Sequence, residues 1–396
     1  MGAAKSVTNG ITHLDGTGKH ISLPFADIHA HFRDPGFESK EEIASGLRAA
    51  ARGGFSDVCV MPNTSPVNDE PHLCTYMLER AREVPGANLY PIAAISKGQL
   101  GVELAEFARL KEAGAVAFSD DGKCVMSASL MRRALEYAKT VDLPIIQHAE
   151  DHHLTAGAEM HEGAVSTRLG LRGWPSVAED IIVARDFLLT DYVKGRYHLA
   201  HVSTKGAVEL LREAKRRGLN VTAEVTPHHL LLTHESIQTH GAMAKVNPPL
   251  REESDRAALI EALRDGTIDC VATDHAPHGA REKSCLVRDA AMGMIGIEFA
   301  FSLLLSLVEK KLLTLERLIE TLTVGPRRAL RLPTPILAEG ELASLVIFDV
   351  HAPIQIESVE SKSKNTPFLG QNFRGKVMAT VSKGHTLFGH DWLRGK

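Results

Sequence analysis

Short apolar runs alternate with amphipathic segments along most of this chain. The runs are rich in β-branched residues, as is typical of buried strands, and the segments between them repeat apolar positions about every three to four residues, as helices do. The pattern predicts eight strands, at residues 25–32, 57–62, 89–95, 115–119, 144–148, 197–202, 220–226 and 270–273. It predicts helices between most of them, at residues 40–52, 102–113, 129–140, 177–189, 205–217 and 255–265.

Eight strand and helix units in this order favour an α/β fold with a closed parallel barrel, the (β/α)8 TIM-like barrel. A doubly wound open sheet also alternates strands with helices, but no G-x-G-x-x-G motif opens the helix after the first strand. After Pro335 the pattern changes to short β-like runs at residues 344–349 and 376–381. We therefore expect a small β-sandwich appendage built mainly from the C-terminal segment.

The expected division of the chain follows from this change of pattern. Residues 25–335 would form the barrel, and residues 336–396 would form the C-terminal β appendage. Residues 1–24 would join the appendage as an N-terminal segment.

Composition and charge restrict the possible partners. The 396 residues are 44% hydrophobic and 24% charged, as in ordinary globular proteins. The formal net charge of -4 is spread without long basic runs, which argues against nucleic acid and membrane binding and favours a small-molecule partner. The five cysteines are scattered without a C-x-x-C pair, which indicates reduced thiols in a cytoplasmic protein. The longest apolar stretch, at residues 294–308, is too short to span a bilayer.

Histidine and aspartate residues stand at the ends of several predicted strands. Barrel enzymes carry their catalytic residues at the carboxyl ends of the strands, so these side chains should converge. They are His29 and His31 of an H-x-H pair in the first strand, Asp120 and Asp121 after the fourth, His148 in the fifth, His201 in the sixth, and Asp274 after the eighth. Imidazole and carboxylate together favour zinc or a similar divalent ion, and a carboxylate at the fourth strand could bridge two ions.

Residues suited to holding a small polar anion follow the same strands. Arg33 shares a strand face with His29 and His31 and can bind a carboxylate through two hydrogen bonds. The other candidates, Asn63, Asn247 and His278, lie in proline-containing segments.

The remaining histidines have less support from the pattern. His152 and His153 are adjacent, as are His228 and His229, and adjacent side chains of a strand face opposite ways. We therefore expect at most one of each pair in the site and favour structural or supporting roles. The others are expected at the surface, namely His13, His20, His72, His161, His234, His240, His385 and His390.

Seven segments in this order resemble the dihydroorotase family, in its bacterial type I class within the amidohydrolase superfamily. They are residues 29–36 (HAHFRDPG), 61–64 (MPNT), 118–122 (FSDDG), 147–150 (QHAE), 201–204 (HVST), 246–251 (VNPPLR) and 273–278 (TDHAPH). The FSDDG segment, where many relatives carry a carboxylated lysine, separates this class from dihydropyrimidinases and allantoinases. The resemblance runs from about residue 25 to the C-terminus.

The resemblance implies a role for each candidate ligand. His29, His31 and Asp274 would hold one zinc ion, His148 and His201 a second, and Asp121 would bridge the two, with Asp120 as the competing choice. Two ions per chain are implied, with one ion as the alternative. Asp274 would also take a proton from the attacking hydroxide and deliver it to the leaving nitrogen of the ring amide.

The resemblance also implies a substrate site. Arg33, Asn63, Asn247 and His278 would hold the substrate, and the backbone at Met292 and Gly293 would touch its ring. The family more often has an aromatic residue where Met292 stands. Only 24 residues precede Phe25, fewer than in most relatives, which suggests a reduced appendage.

The activity implied is the reversible interconversion of N-carbamoyl-L-aspartate and (S)-dihydroorotate in pyrimidine biosynthesis. Two other functions remain open: a different cyclic amidohydrolase, such as an allantoinase or hydantoinase, and a non-catalytic scaffold for aspartate transcarbamoylase. Such scaffolds typically lose metal ligands, whereas this chain retains every position. A homodimer and a complex with aspartate transcarbamoylase also remain open.

Overall fold

The computed structural model describes residues 5–8 and 11–394, with side-chain burial from residue 15 onward. Its strands are β1 (Lys5–Thr8), β2 (Ile11–Leu14), β3 (His20–Ser22), β4 (Phe25–Ala30), β5 (Phe55–Val60), β6 (Asn88–Ala93), β7 (Ala117–Ser119), β8 (Ile145–Gln147), β9 (Met160–His161), β10 (Gly173–Trp174), β11 (Tyr197–Leu199), β12 (Val221–Val225), β13 (Cys270–Val271), β14 (Leu345–Gln355), β15 (Asn372–Ser382) and β16 (His385–Phe388).

The helices connect these strands and cover the barrel. They are α1 (Ile43–Arg52), α2 (Pro71–Arg82), α3 (Phe107–Glu112), α4 (Ala128–Thr140), α5 (His152–Thr155), α6 (Ala164–Leu169), α7 (Val177–Val193), α8 (Lys205–Arg216), α9 (Pro227–Leu231), α10 (Ser236–His240), α11 (Glu253–Asp265), α12 (Ala280–Lys283), α13 (Ala300–Glu309), α14 (Leu315–Leu322), α15 (Val324–Leu330) and α16 (His390–Leu393). Short 3₁₀ turns lie at Lys97–Gln99 and Gly241–Ala244.

Eight parallel strands form a nearly closed barrel in the order β4-β5-β6-β7-β8-β11-β12-β13. Its two ends meet where the His31 backbone N–H donates to the His275 carbonyl at 2.9 Å, beside a parallel bridge between Ala30 and His275. All eight predicted barrel strands are present. The predicted (β/α)8 barrel is therefore confirmed.

The interior of the barrel is filled by small and branched side chains from successive strands. Every residue of β4 and of β5 is buried, as expected for strands that face the interior on one side and helices on the other. The interior cluster contains Ile28, Cys59, Ile92, Ala117, Ile146, Ala200 and Cys270. This packed core leaves the polar side chains at the carboxyl ends of the strands to form the site.

A four-stranded antiparallel sheet in the order β3-β14-β15-β16 packs against one side of the barrel. Strand β3 comes from the N-terminal segment, and the other three strands come from the C-terminal segment. Three aromatic rings join the sheet to the barrel: Phe301 lies 5.5 Å from Phe25 and 4.7 Å from Phe348, measured between ring centroids. We propose the division at residues 25–335 for the barrel, with residues 1–24 and 336–396 in the appendage. Residues 1–4 and 9–10 of that N-terminal segment lie outside the described residues.

A buried ion pair fixes helix α15 against the first two barrel strands. Arg327 is fully buried, and its guanidinium donates to the carboxylate of Asp57 and to the carbonyls of Pro24 and Thr323, at 2.8 and 2.9 Å. Removing one partner of such a pair leaves the other charge buried without compensation, which typically costs about 3–5 kcal/mol.

We expect Arg327→Met to lower the free energy of unfolding by about 3–5 kcal/mol, because the Asp57 carboxylate would lose its buried partner. The free energy is to be measured by urea unfolding. Arg328→Met is the matched control, since the Arg328 side chain is 72% exposed, and it should change the free energy by less than about 0.5 kcal/mol. Equal losses in the two variants would contradict the structural role of the ion pair.

Candidate active site

Five of the six predicted ligands lie within a few ångströms of one another at the mouth of the barrel. The Oδ1 of Asp274 lies 3.0 Å from His31 Nε2 and 3.7 Å from His29 Nε2. The Oδ1 of Asp121 lies 3.4 Å from His29 Nε2 and 3.4 Å from His201 Nε2. Two groups of possible ligand atoms result, His29-His31-Asp274 and His29-Asp121-His201, and both are buried. Each group could hold a metal ion, with His29 common to both.

His148 approaches this cluster from the side. Its Nδ1 lies 2.9 Å from His201 Nε2 and 3.7 Å from Asp121 Oδ1, while its Nε2 hydrogen-bonds to Glu150 at 2.9 Å. Two ring nitrogens this close are near the separation of two ligands on one tetrahedral ion, about 3.3 Å for bonds of about 2.0 Å. His148 therefore lies beside the second group, which consists of His29, Asp121 and His201, although it does not belong to that group.

The two neighbouring aspartates after β7 have different surroundings. The Oδ1 of Asp120 accepts hydrogen bonds from the backbone N–H groups of Ile95 and Ser96, at 2.9 and 3.0 Å, and its Oδ2 accepts one from the Ser96 hydroxyl. Burial raises the pKa of Asp120 to about 6 despite these bonds. Asp121 instead directs its carboxylate at His29, His31 and His201, and its Oδ1 is buried with no hydrogen-bond partner among the described residues.

A chain of hydrogen bonds inside the barrel orients His29. Its Nδ1 lies 2.5 Å from Oε1 of Glu224, whose Oε2 lies 3.1 Å from Nε2 of His198; the Nδ1 of His198 lies 2.8 Å from the Thr222 hydroxyl. Glu224 holds the proton on Nδ1, so Nε2 of His29 is the ring nitrogen that faces the site and would ligate a metal ion after losing its own proton. Asn63 does the same for His31, since its Oδ1 lies 2.8 Å from His31 Nδ1. These two partners fix the ring orientation that ligation requires.

Burial and opposite charges set the ionisation of the cluster. Burial opposes the charged form of Asp274 and Asp121, but the neighbouring histidines outweigh it and hold the pKa of both carboxyls well below the usual range. Burial likewise lowers the pKa of His29, but Glu224 and Asp121 outweigh it and raise the pKa well above the usual value. The pKa of Glu224 falls to about 2, against the effect of burial, because His29 and His198 favour its ionised form. The carboxylates are therefore ionised, which favours a cation at this position.

Above the cluster lies a cavity of about 300 Å³. Its lining includes every predicted substrate residue, namely Arg33, Asn63, Asn247, His278, Met292 and Gly293, together with His31, Asp121, His148, His201 and Asp274. The nearness of Asn63 depends on Gly122, because a Cβ at residue 122 would lie 3.3 Å from Asn63 Nδ2 in a backbone with φ of 75°. The predicted ligands and the predicted substrate residues thus share one cavity.

The polar atoms of the cavity wall leave specific hydrogen-bonding capacity toward it. His278 Nε2 lies 2.8 Å from the Met292 carbonyl, to which it donates, and its Nδ1 is buried with no hydrogen-bond partner among the described residues, at 3.8 Å from Glu282 Oε2. Burial and the charge of Arg33 lower the pKa of His278 to about 3, so its ring is neutral and Nδ1 can accept. Asn247 donates its amide to Glu150 at 3.2 Å, and its Oδ1 is also buried with no described partner. The wall therefore offers two free acceptors beside the guanidinium of Arg33.

The C-terminal segment reaches this wall through Asn365. Its Oδ1 accepts the His278 backbone N–H at 3.0 Å, and its Nδ2 donates to the carbonyls of Ala276 and Gly293, at 2.9 and 3.1 Å. Asn365 thus holds together the two backbone segments that carry His278 and Met292. Nothing in the sequence pattern around residue 365 indicated this role.

Three site residues have the left-handed backbone conformation that side chains rarely adopt. The φ angles are 61° at Arg33, 30° at His201 and 46° at Asp274. Such conformations cost on the order of 1–3 kcal/mol each and persist where the surrounding structure enforces them, commonly at functional sites. The strain fits a site whose side-chain directions matter more than local stability.

The positions of several other histidines differ from those expected from the sequence. His161 and His234 were expected at the surface, and this was wrong: they are 6% and 9% exposed, and their rings lie 5.3 Å apart, measured between centroids. His228 and His229 lie on helix α9 and are both buried. His229 is hydrogen-bonded to Thr226 and to the Pro248 carbonyl, at 2.8 and 3.0 Å, so its role is structural. His13 lies outside the residues whose side chains are described.

Comparison with known proteins agrees with this geometry. The sequence model of a family described as "Dihydro-orotase-like" matches residues 18–207. A dihydroorotase of Anaeromyxobacter dehalogenans (strain 2CP-1 / ATCC BAA-258) is 49% identical over 382 residues, which are 96% of this chain and 88% of the relative. A dihydroorotase of Syntrophus aciditrophicus (strain SB) is 46% identical over 391 residues, 98% of this chain and 92% of the relative.

The chain belongs to the dihydroorotase family. The resemblance predicted from the seven motifs is therefore confirmed, and so is the class of enzyme, a cyclic amide hydrolase. The two ligand groups of this chain could each hold a metal ion.

Solved structures extend the likeness to the fold. An L-hydantoinase (dihydropyrimidinase) from Arthrobacter aurescens superposes with a TM-score of 0.84 at 23% identity, over 97% of this chain and 89% of that chain. A dihydropyrimidinase from Brevibacillus agri NCHU1002 gives 0.79 at 22% identity, over 94% and 86%. At this identity the likeness concerns the fold alone, which this dihydroorotase-family chain shares with them.

Proposed function

We propose that this chain catalyses the reversible hydrolysis of (S)-dihydroorotate to N-carbamoyl-L-aspartate, the ring-forming step of pyrimidine biosynthesis when it runs in reverse. The observation that carries the proposal is the single cavity in which Arg33 lies beside the His and Asp cluster. An anionic ring can there place its carboxylate on the guanidinium and its amide bond over the cluster. Relatives named dihydroorotase at about half identity support the same substrate.

The residues fit a centre of two zinc ions. His29 Nε2 and Asp121 Oδ1 are buried with no hydrogen-bond partner among the described residues, and both point into the cluster. We assign His29, His31 and Asp274 to one ion, His148 and His201 to the second, and Asp121 to both, since Asp120 is used by the backbone at Ile95 and Ser96. When bound, such ions lower the pKa of water and polarise a carbonyl. Imidazole with carboxylate is the ligand set that zinc prefers.

Asp274 would move the proton of the reaction. Its carboxylate is ionised, because the nearby histidines hold its pKa below the usual range, and it lies 3.0 Å from His31. As water adds to the ring carbonyl carbon, Asp274 accepts the proton. The bond between that carbon and the ring nitrogen then breaks, and Asp274 donates the proton to the nitrogen.

The cavity wall would hold the substrate in a fixed position above the His and Asp cluster. Arg33 binds the carboxylate through charge-assisted hydrogen bonds. The side-chain oxygen of Asn63 is hydrogen-bonded to His31, so its amide N–H groups would donate to the same substrate carboxylate. His278 Nδ1 and Asn247 Oδ1 are acceptors suited to ring N–H groups, and the backbone of Met292 and Gly293 lies along the ring.

The test is a hydrolysis assay on protein whose zinc content is measured in parallel. We expect hydrolysis of dihydroorotate that disappears on chelation and returns with zinc, with about two ions per chain needed to restore full activity. Hydantoin and allantoin are the comparison substrates, since each lacks the carboxylate on the ring. Faster turnover of either one than of dihydroorotate, or no turnover of dihydroorotate by zinc-loaded protein, would contradict the proposal.

The small-molecule substrate is the main partner that we propose. A homodimer and a complex with aspartate transcarbamoylase are two further states, which light scattering of the chain alone and mixed with the transcarbamoylase will distinguish. Helix α7 offers a face for association, since Val177, Ile181, Leu188 and Tyr192 are exposed along one side of it.

We propose a cytoplasmic location. All five cysteines are free thiols, and four of them are buried, as expected in a reducing compartment. In the described part of the chain, no helix has the length and apolar character needed to cross a membrane.

A further inference from the structure

Three side chains from separate loops meet on the carboxyl face of the barrel, outside the cavity described above. His161 belongs to the excursion after β8, His234 follows α9, and Glu252 directly precedes α11. One ring nitrogen of each histidine and one carboxylate oxygen of Glu252 lie within 4.8 Å of one another. His161 Nε2 is 3.8 Å from Glu252 Oε1. We call these three residues the peripheral cluster; none of them lines the cavity of the proposed active site.

Both histidines of the peripheral cluster are more than nine-tenths buried, at 6% and 9% exposure. The Nδ1 of His234 is buried with no hydrogen-bond partner among the described residues. A buried polar atom left without a partner typically costs about 1–3 kcal/mol. A ligand bound at this nitrogen would remove that cost.

Gly163 adjoins all three side chains. A Cβ added there would be 3.4 Å from Glu252 Oε1 and 3.9 Å from a ring carbon of each histidine. These are ordinary van der Waals distances, so the absence of a side chain at residue 163 leaves the neighbouring sides of the three groups uncovered. The carboxylate of Glu252 is half exposed, which leaves one side open to water.

The charges around the peripheral cluster favour a cation. It lies at the edge of a cleft of about 480 Å³ whose lining includes the acidic residues Glu162, Asp180, Glu209, Glu252 and Asp255 and one cation, Lys205. A second cation, Arg251, contacts His161 Nδ1 at 3.4 Å. Its guanidinium is also 3.7 Å from Glu179 and donates to the Trp174 carbonyl at 3.1 Å, so its charge is partly compensated.

We propose that His161, His234 and Glu252 bind a divalent cation of the zinc class, with water completing the coordination. Two imidazoles and one carboxylate form a ligand set typical of zinc, whereas magnesium and calcium prefer oxygen ligands alone. His161 would ligate through Nε2 and carry its proton on Nδ1, giving up its long contact with Arg251. The ligand atoms would move together by about 1 Å to reach tetrahedral spacing.

The cation would join the loops after the fifth and seventh barrel strands to the start of α11. Arg251 connects this point to the active site, because its Nε donates to the Ser203 hydroxyl at 3.0 Å and Ser203 follows His201 by two residues. The role is therefore structural: the ion stabilises the loops that carry the cavity wall and takes no part in the reaction.

The experiment measures bound zinc per chain in the full-length protein after saturation with Zn²⁺ and removal of free metal. The variants are His234→Gln and Glu252→Gln. Because the side chain of Glu252 is half exposed, Glu252→Gln tests the proposal even if His234→Gln fails to fold. Matched controls are His153→Gln and Glu235→Gln, whose side chains are exposed. We expect the wild type and both controls to bind one zinc more than either variant, with hydrolysis of dihydroorotate retained throughout.

A second readout is the thermal unfolding midpoint as Zn²⁺ is added beyond saturation of the catalytic centre. We expect a further rise in the wild type and in the controls but not in the two variants, because an ion bound only by the folded state stabilises it. Equal zinc content in all five proteins would overturn the proposal. It would also be overturned if the lost zinc disappeared together with hydrolysis, since the ion would then belong to the catalytic centre.

Discussion

Replacing Asp274 with asparagine is expected to lower kcat for dihydroorotate by about 10²–10⁴-fold, the usual contribution of a positioned proton donor and acceptor. An amide has nearly the shape of the carboxylate and keeps one oxygen for ligation, but it cannot accept the proton of the attacking water. The left-handed φ of 46° at Asp274 should be tolerated by asparagine, which adopts this conformation more readily than most residues. The measurement is the steady-state rate together with the zinc content of the same sample.

Asp289→Asn is the matched control, because Asp289 is exposed and carries the same change of charge. It should leave both rate and zinc content unchanged. If Asp274→Asn retained its zinc and still turned over at a rate near that of the wild type, Asp274 would not be the proton carrier. If it lost zinc in proportion to the rate, its main role would be ligation.

The barrel was predictable because a parallel strand with helices packed against it must be apolar almost throughout. The eight runs found in the sequence correspond to β4 through β8 and β11 through β13. The polar residues that end those strands then had to meet at one mouth, which is a consequence of topology and needed no coordinates. Helix α2 was missed although Pro71 stands at its first position, because its apolar stripe is short, with only three buried residues.

The supporting residues of the site could not be predicted in the same way. Glu224 is the one charged residue of strand β12, and only the folded barrel shows that it lies 2.5 Å from His29. Asn365 is separated by 87 residues from the backbone N–H that it binds. Asp120 and Asp121 are adjacent and chemically identical, so the sequence cannot tell which of them faces the metal ligands. That depends on the direction of the backbone after β7, where the N–H groups of Ile95 and Ser96 donate hydrogen bonds to Asp120.

The burial of polar residues in loops was also difficult to predict from the sequence. His161 and His234 lie in polar segments without periodicity, and single-residue context gives no sign that loops from different strands will cover them. Their burial depends in part on the excursion after β8, where β9 and β10 pair in parallel with partners 13 positions apart in the sequence, Met160 with Gly173 and His161 with Trp174. Long excursions of this kind are where sequence patterns carry least information, and in barrels they are also where function varies.

Arg33→Met is expected to raise the KM for dihydroorotate by about 30-fold to 5,000-fold, because the loss of one partner of a desolvated charge pair typically costs about 2–5 kcal/mol. Methionine preserves much of the length of the side chain but offers no donor to the carboxylate. Zinc content should not change, since the hydrogen bond described for Arg33 goes to the Pro277 carbonyl, at 3.4 Å, and not to a candidate ligand. The measurement is the full Michaelis curve for dihydroorotate in wild type and variant.

Dihydrouracil separates loss of carboxylate binding from general damage, because it is the same ring without the carboxylate. Any slow hydrolysis of dihydrouracil should be equal in the wild type and in Arg33→Met, so the preference for dihydroorotate should fall by the same factor as kcat/KM. Arg281→Met, at an exposed position on α12, should change neither substrate. An unchanged KM for dihydroorotate in Arg33→Met would remove Arg33 from the substrate site, and an equal loss for both rings would assign it to holding the loop at Pro277. Only a loss confined to the carboxylated ring supports Arg33 as the residue that selects this substrate over other cyclic amides.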